Sequence, residues 1–188
     1  MLKRAEYDHV EIGAPPIKTK DGWLLIYSNI QFYFPNPDRA EAAFGTEAIL
    51  LDLKNPHTIL YRTRGSILSP EELYERRGMV SEIVFPSGAL LEKDILHIYY
   101  GGADNVVCRA SVMLVDLLSS MKSPERGSNM FVRAPYNPIL APIPGHPWEA
   151  FAVFNPGALI HDGVVYIFYR AMSFDNTSTV GLAVSMDG

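Results

Sequence analysis

The chain has 188 residues, of which 48% are hydrophobic and 20% charged; that composition supports a sizeable core and excludes a disordered segment. Sixteen Lys and Arg against 21 Asp and Glu leave a net charge of −5, and no basic stripe is present to neutralise a row of phosphates, which argues against a nucleic-acid partner. No apolar run reaches the roughly 18 residues of a membrane helix, the first residues lack a signal-peptide core, and the single cysteine, Cys108, rules out an internal disulfide, so no membrane partner and a cytoplasmic location are expected.

The apolar runs are short, rich in β-branched and aromatic residues, and separated by Pro and Gly, which predicts an all-β fold. In chain order the expected strands are Trp23 to Tyr27, Ala48 to Leu53, Ile95 to Tyr100, Ala110 to Val115, Val164 to Tyr169 and Val180 to Ser185. Lys20-Asp21-Gly22 and His161-Asp162-Gly163 read as hairpin turns in which glycine takes a positive φ. One short helix is expected over Pro70 to Glu75, with Ser69 as N-cap, Pro70 at the first helical position and Gly78 ending it.

A motif recurs. Phe85-Pro86-Ser87-Gly88-Ala89-Leu90 before Ile98-Tyr99-Tyr100 is matched by Phe154-Asn155-Pro156-Gly157-Ala158-Leu159 before Ile167-Phe168-Tyr169, and more weakly by Ala14-Pro15-Pro16-Ile17 before Ile26-Tyr27. The three Ile-aromatic pairs lie 72 and 69 residues apart, an interval that suits repeated propeller blades.

Phosphate-loop, dinucleotide-binding, zinc-protease and serine-hydrolase motifs are absent, and the five histidines have no metal-ligand spacing, so no cofactor and no metal are expected. The remaining inventory is carboxylates, aromatics, Asn and Arg at strand ends. Such groups suit carbohydrate, since sugar rings stack on aromatic faces and sugar hydroxyls are held by carboxylate, amide and guanidinium groups.

The segments Glu11 to Tyr27, Leu50 to Pro56, Tyr74-Glu75-Arg76-Arg77-Gly78-Met79-Val80, Val84 to Gly88 and Tyr99-Tyr100-Gly101-Gly102-Ala103-Asp104 together resemble the C-terminal half of glycoside hydrolase family 130, the β-mannoside phosphorylases and β-mannosidases. Asn137 to Leu140, Phe154 to Ala158, Ile167 to Ala171 and Leu182 to Gly188 resemble that family's first blade, although here they come last. The resemblance therefore implies a partial five-bladed β-propeller of about two to three blades, with residues 1–121 as C-terminal blades and 122–188 as a first blade. It further implies a mannose-containing oligosaccharide as partner, and blade edges open to self-association or to a second chain segment completing the propeller.

The resemblance also assigns roles. Asp104, Asn155 and Arg170 match groups that hold the sugar, Phe85 is a candidate stacking platform with Trp148 as a second, and the family's general acid is expected beyond Gly188, so little turnover is expected of this chain alone. Where phosphorylases carry a lysine before the Gly-Ala-Pro motif and a histidine after the following strand, this chain has Glu11 and Ser28. Unit charges about 4 Å apart interact at roughly 4 kcal/mol at intermediate dielectric, so a glutamate there disfavours a phosphate dianion. Glu47 stands before the Leu50-Leu51-Asp52-Leu53 strand end, where the phosphorylases usually carry a small residue, so Glu11 and Glu47 become candidate general bases of an inverting β-mannoside hydrolase. The alternatives are a β-mannoside phosphorylase and a non-catalytic assembly or binding module.

Overall fold

The computed structural model describes residues 2, 4–6, 8–31, 43–123 and 129–186; Asp187 and Gly188, which close the last family-like segment, lie outside them. The fold is mostly β, with antiparallel pairing throughout. The first sheet holds β1 (His9–Ile12), β2 (Ile17–Lys18), β3 (Trp23–Gln31), β4 (Ala43–Leu51) and β5 (Ile59–Arg62), with β1 and β2 sharing one edge of β3. The second runs β6 (Val84–Glu92), β7 (Ile95–Gly102), β8 (Val106–Met113) and β9 (Val132–Arg133) in order, and the third runs β10 (Ala152–His161), β11 (Val164–Met172) and β12 (Ser178–Ser185). The second sheet lies between the other two, because β6 touches β3 and β4 on one side and β10 on the other. Its fourth strand, β9, comes from beyond residue 121.

The recurring Pro-Gly motif acquires a structural meaning. In every sheet it interrupts the first strand: β1 breaks from β2 at residues 13–16, β6 shifts register between Pro86 and Gly88, and β10 shifts between Phe154 and Gly157. A bulge bends its strand and increases the local twist. The bends converge, for a Cβ on Gly13 would lie 2.3 Å from the Pro86 carbonyl oxygen, and one on Gly88 would lie 2.9 Å from that of Pro156. The Ser87 hydroxyl donates to the same Pro156 carbonyl at 2.9 Å. Glycine is required where two backbones approach this closely.

Two layers of core follow from strand alternation. Leu24, Ile26, Ala48 and Leu50 of the first sheet meet Leu96, Ile98, Tyr100 and Cys108 of the second. On the second sheet's other face, Tyr99 and Val107 meet Val153, Val165, Ile167 and Tyr169 of the third.

The expected strands are all present and mostly longer than foreseen, but one differs in kind. The strand expected through Val115 stops at Met113, and α2 (Leu114–Lys122) follows, burying Leu114, Leu117, Leu118 and Met121. That i, i+3, i+4, i+7 spacing is a helical stripe. The helix expected at Pro70 begins three residues later, as α1 (Leu73–Arg76). Ser69 does not cap it; Glu72 is the N-cap residue, and its backbone N–H is taken by the Glu75 carboxylate at 3.0 Å. The reason is competition, because Glu75 is buried and fixes the first turn around itself. The His161-Asp162-Gly163 turn forms as read, with positive φ at Asp162 (49°) and Gly163 (76°).

Candidate functional site

The site is built where the pre-bulge ends of β1, β6 and β10 meet the turn after β7. Glu11 of β1 lies opposite Ser28 of β3, which lies opposite Thr46 of β4, so all three share one face of the first sheet. The Ser28 and Thr46 hydroxyls are buried without a hydrogen-bond partner among the described residues. Two residues before Glu11 on the same strand face, His9 brings Nε2 to 3.4 Å from Glu11 Oε1. This pair escaped the sequence reading, although an i, i+2 spacing on a strand places two side chains on one face.

Asp104 occupies the tight turn between β7 and β8, with φ of 51°. Gly101, three residues earlier, borders the same groups: a Cβ there would make ordinary contact with Phe154 Cβ at 3.5 Å, the Asn155 backbone nitrogen at 3.6 Å and Asp104 Oδ1 at 4.0 Å. Asn155 sits exposed in the β10 bulge with φ of 51°, a conformation that Asn tolerates better than most residues. Arg170 of β11 is paired opposite Phe154. Its guanidinium stands 4.9 Å from the Phe154 ring centre, and its Nε donates to Ser178 Oγ at 2.9 Å. Asn155, Phe168, Arg170 and Val180 line a shallow depression of about 460 Å³.

The charges communicate. Burial pushes the Asp104 carboxyl above the usual aspartate range; Arg170 pulls it down and Glu11 pushes it up. Phe85 is half-buried, paired opposite Gly101, with its ring against the Gly13 backbone. Trp148 is engaged elsewhere, stacked with His146 at 6.2 Å and Tyr169 at 6.5 Å.

Glu47 is separate from this group. It pairs opposite Tyr27, on the face of the first sheet turned away from Glu11, and is 1% exposed. Arg4 Nε donates to Oε1 at 2.7 Å, Tyr27 Oη to Oε2 at 2.8 Å and Asn29 Nδ2 to Oε1 at 3.4 Å. A carboxylate so enclosed and so well partnered has no open side for a water nucleophile. The arrangement brings Glu11, Phe85, Asp104, Asn155 and Arg170 to one end of the sheets and leaves Glu47 within the fold. Among the described residues no group of three His, Cys, Asp or Glu side chains could hold a metal ion, and no helix is long and apolar enough to cross a membrane.

The family model described as beta-1,4-mannooligosaccharide phosphorylase matches residues 3–123. The chain belongs to glycoside hydrolase family 130. Within this family it is 39% identical over 112 residues to a 1,2-beta-oligomannan phosphorylase of Thermoanaerobacter sp. (strain X514), covering 60% of this chain and 35% of that protein. It is 34% identical over 123 residues to the beta-1,2-mannobiose phosphorylase of Listeria innocua, covering 64% and 32%. The solved mannobiose complex of the Listeria innocua enzyme superposes with a TM-score of 0.54, at 34% identity, over 64% of this chain and 32% of that one. This family 130 chain therefore spans about a third of the length of the curated relatives it matches. A thermostable family-43 glycoside hydrolase, 7% identical, shares the fold over 95% of this chain and 53% of its own, with a TM-score of 0.58. The curated relatives are phosphorylases, which favours the phosphorolytic alternative over the hydrolytic expectation.

Proposed function

We propose that this chain carries the sugar-holding part of a β-mannoside phosphorylase, within an arc of a β-propeller formed by its three serial sheets. The observation that carries the reading is that the Asp104 turn, Phe154 and Asn155 all border the position of Gly101, with Arg170 paired opposite Phe154, in a chain whose relatives phosphorolyse mannosides. Asp104 accepts hydrogen bonds from mannose hydroxyls, while Arg170 and Asn155 donate to the sugar oxygens; Phe85 offers an apolar ring face. In the reaction, a phosphate oxygen forms a bond to the anomeric carbon as the glycosidic C–O bond breaks. The departing sugar oxygen takes its proton from a general acid that is not among these residues, and mannose 1-phosphate and a shortened mannoside leave. His9, when protonated, offsets the negative charge of Glu11 that an incoming dianion would otherwise face alone.

The test is titration of the purified protein with β-1,2-mannobiose, followed by identification of any sugar released with and without phosphate. Saturable binding that Asp104→Ala weakens at least about tenfold, as loss of a charged hydrogen-bond acceptor implies, is the expected result, with little turnover by this chain alone and any sugar released appearing as mannose 1-phosphate only when phosphate is present. Free mannose formed equally without phosphate would restore the hydrolytic reading, and absence of mannobiose binding would overturn the sugar site.

A further inference from the structure

We propose that the loop 71–83 is a clasp that sets the position of the Asp104 turn, with Glu75 and Gly78 as positioning residues for sugar binding. The inference rests on the reading of Asp104 as a sugar ligand, and it gives a task to the Tyr74 to Val80 motif, which that reading leaves idle.

Glu75 is fully buried. Its Oε1 accepts Tyr100 Oη at 2.7 Å and Arg133 Nε at 2.7 Å, and its Oε2 accepts Arg133 Nη2 at 2.8 Å and the backbone N–H groups of Glu71 at 2.7 Å and Glu72 at 3.0 Å. Arg133 continues outward, its Nη2 to the Ser69 carbonyl at 2.7 Å and its Nη1 to Glu71 Oε2 at 2.9 Å. Burial pushes the Glu75 carboxyl up, but Arg133, the two backbone donors and Tyr100 outweigh it and hold the group below the usual range. The loop is thereby fixed to the second sheet at a point next to β7.

From that anchor a series of backbone bonds reaches the site. The Ile83 N–H donates to the Glu75 carbonyl at 2.9 Å, the Ala103 N–H to the Ile83 carbonyl at 3.0 Å, and the Val80 N–H to the Ala103 carbonyl at 3.2 Å. Gly78 presses on the turn so closely that a Cβ would lie 2.3 Å from the Ala103 carbonyl oxygen and 3.0 Å from Asn105 Cβ. Ala103 and Asp104 both have positive φ, 48° and 51°, a backbone that non-glycine residues hold only when their surroundings enforce it. On the turn's other side the Val153 N–H takes the Asn105 carbonyl at 3.1 Å. A buried ion pair returns little net stability against an apolar replacement, whereas it does fix geometry, and supporting groups that orient a binding side chain govern affinity through it.

The experiment measures mannobiose affinity and amide exchange for Gly78→Ala and Glu75→Gln, each alone and combined with Asp104→Asn. Gly78→Ala, an exposed loop change, is expected to weaken binding about tenfold, the scale set by sub-ångström misplacement of a binding group. Exchange at Ala103 and Asn105 should quicken, while the β10–β11 hairpin stays unchanged. Combined with Asp104→Asn the losses should not add, because both act through one carboxylate; a purely structural role would lower the melting temperature without this pattern. Unchanged affinity in Gly78→Ala, or additive losses, would overturn the clasp. If Asp104→Asn itself binds normally, the sugar-holding reading fails instead, and unaltered exchange at Ala103 in Gly78→Ala would then sink the clasp on its own. Should Glu75→Gln fail to fold, Gly78→Ala carries the test.

Discussion

At Asp104 the cost of the site can be read from one carboxyl group. Its pKa is raised above the unfolded value, mainly by burial, so between those two values the native state holds more protons than the unfolded chain. Stability therefore falls as pH rises through that window, and at neutral pH the ionised carboxylate is a burden to the fold. Asp104→Asn is expected to raise the melting temperature at pH 7, by a margin that shrinks in acid, while reducing mannobiose binding; scanning calorimetry across pH and a binding titration check both halves. Glu47 is held by hydrogen bonds instead. Loss of its charge removes hydrogen bonds to a charged group worth about 1.5–3 kcal/mol, so Glu47→Gln should lose that much in urea unfolding and leave mannobiose affinity intact. The sequence made the two glutamates look equivalent because each departs from the relatives' pattern near a strand. What separates them is strand register, which places residue 11 with Ser28 and residue 47 with Tyr27, and register is a tertiary property that a local motif does not encode.

Among the elements, the first strand of each sheet was the most legible feature of the chain and the one whose role was least apparent. The Pro-Gly motif announced a repeat, yet only the packed sheets explain why each copy bends: Gly13 meets Pro86, and Gly88 meets Pro156. Gly88→Ala forces its methyl to 2.9 Å from the Pro156 carbonyl oxygen, and overpacking of this kind costs about 1–3 kcal/mol; a lowered midpoint in chemical denaturation is the expected readout. Gly181 is a parallel case, since a Cβ would fall 2.2 Å from the Tyr169 ring. Gly181→Ala should displace that ring and break its 2.7 Å bond to Glu149, visible as a changed near-ultraviolet dichroism. The helix α2 went unread for an identifiable reason. Its first residues, Leu114 and Val115, continue the apolar run of β8, and the switch from period two to period 3.6 becomes visible only when Leu117, Leu118 and Met121 are counted with Leu114.

On the scale of the whole molecule, the two ends of the stack are treated differently. The outward face of the first sheet, with Leu25, Tyr27 and Ile49, is buried, and Leu2 and Val10 pack against it. The outward face of the third sheet leaves Phe168, Val180, Leu182 and Val184 between 41% and 77% exposed, an apolar patch of the kind that marks a contact surface. The protein is expected to bind an apolar fluorescent dye in the folded state, with Leu182→Lys reducing the signal and leaving the melting temperature nearly unchanged. The motifs made the all-β class and the serial arrangement legible, because turn chemistry and repeat spacing are local. They were silent on which face is covered, since coverage depends on segments distant in sequence. The third sheet also has three strands where the second has four and the first five. Among the described residues the outer margin of β12 therefore presents a row of amide and carbonyl groups without a neighbouring strand, a template onto which another extended polypeptide can register.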